Sequence, residues 1–498
     1  TTIISSLPIQ VEEEDKCRYT PRNKKKDTMK FSCHAAVLAT IASLGAAAVV
    51  ERAQELPLVD SESLRGGIES SSLFDKAKTL QDFANTGRTR NRFIGSRGHD
   101  ATVEYIVQQL EATGYYDVKV QKFVASYQRA FVFADGKTFE AEPFIHSPPA
   151  NVTSAVAFVD HGGCTQGNYP AHVKGKIVVI SRGGCGYDTK MTLAKDAGAV
   201  AVVIHEKDGE GDNVLLGQFQ DAQGDYLPTV GMSFKGAQDF LAASAEAPAF
   251  IQIEAVEIET ENVLAETKGG DKDHVLMVGA HTDSSPKGPG INDGASGVIG
   301  ILEVALQLAK FSTVNKVRFA FWSAQEQGLL GSKHYIKKLS LADALQIRLY
   351  LDIDMIASPN YVYQNLDGDG STFGLRGPWG SDDAEKLLED YFNGIGITTE
   401  PAPFDGRRDC EPFRDLGIPV AGLSSGADEL KSQDEVNHVG GTAGQPYDPN
   451  YRTAGDTLEN INMDVFFQMT KAIAHVVGTC ARLTEGGPPD FMTAFHHN

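Results

Sequence analysis

Four short stretches hold residue types that could do metal chemistry: His281-Thr282-Asp283, Asn292-Asp293-Gly294, Gln325-Glu326 and Asp354. One imidazole with several carboxylates suits a hard-to-borderline ion such as zinc. Asp283, two residues past His281, is placed to hold the second ring nitrogen of that histidine. Each signal alone has a plainer reading. A lone His-x-Asp is usually a satisfied polar pair. Asp293 before a helix could serve as an N-cap, and Glu326 could be a solvated loop charge. Asp354 is harder to dismiss, because it ends an apolar strand where an unpartnered carboxylate is costly. The conjunction of all four in one ordered series carries the hypothesis.

The elements around them alternate. Apolar runs at 275–280, 317–322, 348–354 and 419–423 read as strands. Amphipathic stretches at 296–309, 329–338, 382–392 and 465–483 read as helices. Alternation of this kind predicts an α/β fold, a mostly parallel mixed sheet sandwiched by helices. Chemistry in such sheets collects at the carboxyl ends of strands, where the four stretches fall. Upstream, 73–83 and 100–110 read as helices, the latter with Asp100 as its N-cap, and 117–123 as a strand. Between about 130 and 260 the texture changes to short β-runs, such as 155–159 and 176–180, with a helix at 191–197 and a strand at 199–205. This predicts a separate compact β-rich unit.

Composition sets outer bounds. With 45 Lys+Arg against 66 Asp+Glu, the net charge is −21, which argues against nucleic acid or anionic membranes as partners. No apolar run after residue 48 approaches the roughly 20 residues of a membrane helix, so no membrane anchoring is expected. Met29-Lys30, the apolar stretch Phe31 to Leu44 and the cluster Gly45-Ala46-Ala47-Ala48 have the form of a secretory signal peptide over 29–48. Met29 is then the natural start, and 1–28 is a non-native segment upstream of it. The expected location is extracellular, with a vacuolar lumen as second choice. Asn151-Val152-Thr153 is a glycosylation sequon that suits this compartment. Setting aside Cys17 and Cys33, the four remaining cysteines, Cys164, Cys185, Cys410 and Cys480, allow three connectivities.

The stretches Gly279 to Ser284, Gly288 to Gly297, Trp322 to Ser332, Asp354-Met355-Ile356 with Ser358-Pro359-Asn360, Asp405-Gly406-Arg407 and Gly440 to Gln445 onward to Asp456-Thr457 occur in a set order. In that order they resemble the co-catalytic zinc aminopeptidases of the secreted leucyl-aminopeptidase and aminopeptidase Y type. The region from Gly163-Cys164 to Ala197-Gly198-Ala199 is similar to the protease-associated domain inserted in such enzymes. The resemblance implies a zinc-exopeptidase-like fold, peptide substrates and a Cys164–Cys185 disulfide worth about 3 kcal/mol by loop entropy. It divides the chain into an N-terminal peptidase part at 67–130, a protease-associated domain at 131–260, a peptidase domain at 261–485 and a tail at 486–498.

In the family, a His, a bridging Asp and a second Asp hold one zinc, which points to His281, Asp293 and Asp354. The bridging Asp, a Glu and a second His hold the other, and here Glu326 stands in its place while Arg452 occupies the His position. The general base position holds Gln325, and Tyr451 falls where the resemblance implies a contact with substrate or oxyanion. A carboxamide has no titratable site to take a proton, and Arg offers a metal no lone pair. His438, 14 positions before Arg452, is the alternative ligand, although a surface role suits it better. The two replacements look coupled through charge. In the family pattern four carboxylates balance two zinc ions, whereas here three carboxylates, Arg452 and one zinc balance to neutrality. Two zinc ions would leave excess positive charge in a low-dielectric cleft. One zinc is therefore expected, with Arg452 as a fixed cation pairing with Glu326 and Asp293. Two functions follow: an active exopeptidase, or an impaired peptide- or protein-binding descendant on the same fold.

Overall fold

The computed structural model describes residues 56–207, 214, 215, 217, 219 and 224–483. The segments expected at 1–28 and 29–48 and the tail at 486–498 lie outside the described residues. Among those described, no helix is long and apolar enough to cross a membrane.

The peptidase sheet is built on β1 (Tyr116–Ala134), β2 (Ala249–Thr267), β3 (Asp271–His281), β4 (Asn315–Trp322), β5 (Ile347–Ile353) and β6 (Val420–Ser424). Across the sheet the order is Glu400–Ala402, Gln364–Leu366, β6, β5, β3, β4, β2, β1 and Lys137–Phe139, with Ala150–Ser154 also paired to β2. The central four strands are parallel: β3 pairs with β4 and β5, and β5 with β6. Their apolar runs are buried on both faces, as a helix-covered parallel sheet requires. Register sets His281 opposite Trp322 and Ile353 opposite Leu423, so the loops after β3, β4, β5 and β6 leave the same edge.

Helices α1 (Ser70–Ala84), α2 (Arg97–Ala112), α3 (Gly297–Leu308), α4 (Leu330–Lys338), α5 (Ser381–Gly394) and α6 (Met463–Cys480) cover the faces. Val298, Ile299, Ile301 and Leu302 of α3 join Met469, Ile473 and Val477 of α6 in the main core beside Leu276 and Val278 of β3. The helix expected to open at Asp100 opens earlier. The side chain of Ser96 accepts the His99 N–H at 3.1 Å and caps it, which leaves Asp100 inside the first turn, where its charge favours the helix N-terminus.

The strand expected at 117–123 continues to Ala134, because β2 pairs antiparallel with it from Tyr116–Thr267 to Phe133–Phe250. The near half of this ribbon belongs to the peptidase sheet, through β2 and β4. The far half carries Ala150–Ser154 against β2 and leads into a five-stranded sheet in the order Glu142–Pro143, Thr229–Met232, Ala201–His205, Ile177–Ser181, Val156–Val159. The boundaries expected at 130/131 and 260/261 thus fall within continuous strands, and the chain enters and leaves the insert along a two-stranded ribbon. Within the insert, Cys164 and Cys185 form a disulfide, their Cα atoms 5.8 Å apart. Cys410 and Cys480 are buried and free. Asn151 is exposed on Ala150–Ser154.

Candidate metal centre

His281 closes β3 and is 1% exposed. Its Nδ1 lies 3.1 Å from the Asp283 carbonyl oxygen, a bond that leaves Nε2 with a free lone pair when the ring is neutral. Nε2 faces Asp354 Oδ1 at 3.2 Å and Asp293 Oδ1 at 3.3 Å. One donor atom from each of these three residues lies within 4.8 Å of the others. A lone pair converging with one buried and one partly buried carboxylate calls for a cation between them. Burial opposes charge on the His281 ring, yet Asp354, Asp283 and Asp293 hold its pKa well above the usual value, so even a proton is strongly held there. The donor set and its burial fit zinc.

Asp293 is not a helix cap. It sits in a turn, Ile291–Ser296, that leads into α3, with Asp293 itself at φ −86°, ψ 97° and Gly294 at φ +95°. A Cβ on Gly294 would come within 2.4 Å of the His281 ring, so glycine is what lets the turn pass the imidazole. The turn is tied from behind by Asp456, which accepts the Asn292 N–H at 2.7 Å and the Asp293 N–H at 2.9 Å. Asp448 accepts from Asn292 Nδ2 at 2.6 Å. Neither acid was assigned a role from sequence, although Asp456 lies inside a resembling stretch. Only the folded chain shows that its oxygens meet backbone amides 163 and more residues away.

Asp283 serves His281 mainly through its carbonyl, its carboxylate Oδ1 standing 3.7 Å from Nδ1. That carboxylate instead accepts the N–H of Gln325 and the N–H of Glu326, each at 3.1 Å. Asp283 therefore fixes the loop after β4 relative to His281. The loop is bent sharply, with Ala324 and Leu329 in the left-handed region at φ 61° and 62°.

The other half of the cleft is organised by Arg452. Its Nη2 is 2.5 Å from Glu326 Oε2 and its Nε 3.8 Å from Asp293 Oδ2. Burial works against the guanidinium charge, but Glu326, Tyr451 and Asp293 outweigh it and keep Arg452 protonated. The guanidinium also lies over the Tyr451 ring at 5.2 Å. The hydroxyl of Tyr451 accepts from Arg407 Nη2 at 2.8 Å. Gln325 donates through Nε2 to the Arg407 carbonyl at 2.9 Å, while its Oε1 is buried with no hydrogen-bond partner among the described residues. His438, on the short helix Gln433–Val439, pairs with Glu400 at 2.7 Å on the surface.

Such a sheet edge, with a histidine ending one parallel strand and two aspartates on the loops that follow, defines an α/β protein able to hold a metal ion at the carboxyl edge of its sheet. The chain belongs to peptidase family M28, whose model matches residues 262–477, and a PA domain model matches residues 151–240. It is 41% identical to a probable leucine aminopeptidase 2 of Aspergillus fumigatus, with 88% of each chain covered. It is 39% identical to leucine aminopeptidase 2 of Trichophyton equinum, covering 87% of this chain and 88% of that one. Among solved structures it is similar to an aminopeptidase from Aneurinibacillus sp. strain AM-1, with a TM-score of 0.62 and 25% identity over 85% of this chain and 97% of that one. A zinc aminopeptidase from Bacillus subtilis shares the fold, with a TM-score of 0.66 and 23% identity over 83% and 96% of the two chains.

Proposed function

We propose that this chain is a secreted M28 protein that binds one zinc ion through His281, Asp293 and Asp354, receives peptides in the aminopeptidase cleft and hydrolyses them very slowly. The observation that carries this reading is the 2.5 Å pair between Arg452 and Glu326, which puts a permanent cation against the carboxylate that a second ion would need. Bound zinc would supply Lewis acidity toward a peptide carbonyl. The chain's own residues supply the rest. Arg452 and Arg407 bracket the Tyr451 ring beside the Arg452–Glu326 pair. Gln325, at the position where the family carries a carboxylate, has no site that accepts a proton at neutral pH. Its amide is instead engaged with the Arg407 carbonyl. The disulfide in the insert agrees with an extracellular or lumenal setting.

A second reading, a competent aminopeptidase, is favoured by the 41% identity to a leucine aminopeptidase relative over 88% of the chain. Metal analysis of the purified protein, with turnover of leucine anilide, separates the two. One zinc per chain with turnover near background supports the impaired form. Two tightly held zinc ions with brisk turnover establish the active one.

A further inference from the structure

Arg92 is fully buried, on the segment between α1 and α2, yet the three bonds its side chain donates go to backbone carbonyls. Nη1 donates to Thr282, the residue after His281. Nε donates to Pro289 at 2.9 Å and Nη2 to Gly290 at 2.5 Å, both on the approach to the turn that presents Asp293. The backbone of Arg92 joins the same assembly: its N–H donates to Ser284 Oγ at 2.9 Å and its carbonyl accepts the Ser284 N–H at 3.2 Å.

A buried cation is costly unless something compensates it. Burial lowers the Arg92 pKa to about 10, and the opposing fields come from Asp456, Asp283, Asp293 and Glu326. The charge is therefore held by the carboxylates of the site itself. The planar fork of guanidinium reaches several acceptors at once, which an ammonium does not.

We propose that Arg92 is a positioning residue of the metal centre, setting the separation of His281 and Asp293 by clamping the carbonyl after the first to the carbonyls before the second. The proposal rests on the zinc site put forward above. Gly290 is the other side of the clamp. It lies at φ +62°, and a Cβ there would come 2.3 Å from the Asp293 carbonyl and 3.3 Å from Arg92 Nη2.

The test uses the full chain and compares Arg92→Lys and Gly290→Ala with Lys76→Met, which breaks the buried Lys76–Glu303 pair at 2.7 Å without touching either ligand loop. Zinc affinity is read by chelator competition, ligand geometry by the visible spectrum of the cobalt-substituted protein, and stability by melting of the metal-free protein. Arg92→Lys is expected to bind zinc about tenfold or more weakly and to change the cobalt spectrum, as loss of an outer partner of a metal site does. Gly290→Ala should do the same, and Lys76→Met should lower the melting temperature with zinc affinity intact. Unchanged zinc affinity in Arg92→Lys or, should that variant not fold, in Gly290→Ala overturns the positioning role. So does a loss of zinc in Lys76→Met that tracks its loss of stability. Absence of bound zinc in the unsubstituted chain overturns the metal site itself, a result distinct from either.

Discussion

The two halves of the cleft share Asp293 and differ in what faces it. On one side stand His281 and the carboxylate of Asp354, 3.2 Å apart, with no Lys or Arg paired directly to either among the described residues and the fields of the Arg408 and Arg452 guanidinium groups reaching Asp354. On the other, Glu326 meets Arg452 at 2.5 Å. The first half gathers its donor atoms around a point that a metal ion or a proton can occupy, whereas the second already holds a guanidinium in direct contact with its carboxylate. On the proposed one-zinc reading, an arginine at a ligand position does more than delete a coordinate bond: it would supply the charge that a second ion brings, and so weaken the electrostatic reason for that ion to bind.

The largest expected effect comes from restoring both functions of the second half together. Arg452→His alone should raise zinc content toward two per chain with little turnover, and Gln325→Glu alone should restore little. The double variant should recover both, with a strongly non-additive gain in kcat/KM, since a general base alone contributes typically about 10²–10⁴-fold. An additive result would show that the halves do not act on one reaction.

Next comes the neutralised pair itself. Arg452→Met leaves Glu326, 4% exposed, without its cation. Breaking one partner of a buried pair costs about 3–5 kcal/mol, and this case should fall below that range, because burial already raises the Glu326 carboxyl to about 8 and lets it protonate when Arg452 is gone. Adding Glu326→Gln should return most of that loss in a denaturant titration. If the double variant stays as unstable as the single, Arg452 stabilises the protein through its contact with Tyr451 rather than through charge.

The smallest effect is a control outside both halves. Burial first, then Asp369, Glu389 and Asp367, raises the Glu385 carboxyl from 4.5 to about 7. The folded state therefore binds a proton that the unfolded state has released, and this contribution to stability is full below pH 4.5 and lost as pH rises toward 7. Glu385→Gln should flatten the pH dependence of chemical stability in that window and leave zinc content unchanged. A profile as steep as that of the unsubstituted chain would assign the slope to the cleft carboxylates instead.

Much of the scaffold was legible because periodicity is a local property. The strands at 275–280, 317–322 and 348–354 and the closing helix are set by apolar runs and helical spacing, and all occur close to the expected bounds. Asp100 shows where local reading slips: a serine four residues earlier makes the better cap, and only the hydrogen bond decides between them. The reach of β1 to Ala134 was likewise invisible, since it depends on a partner strand more than a hundred residues away.

The residue types of the cleft were fixed by the sequence alone: a histidine and aspartates after strands, a carboxamide at 325 and an arginine at 452. So was the incompatibility of Gln325 with base chemistry and of Arg452 with ligand chemistry, because protonation and lone pairs belong to the side chain itself. Tertiary structure decided their partners. It made Asp283 a clamp on the Gln325 and Glu326 amides as well as a partner of His281, set Asp456 behind Asp293 and sank Arg92 between the two ligand loops. Those contacts join residues far apart in the chain through backbone groups that every residue has, so no residue type marks them in advance; they exist only once the sheet has brought the loops to one edge.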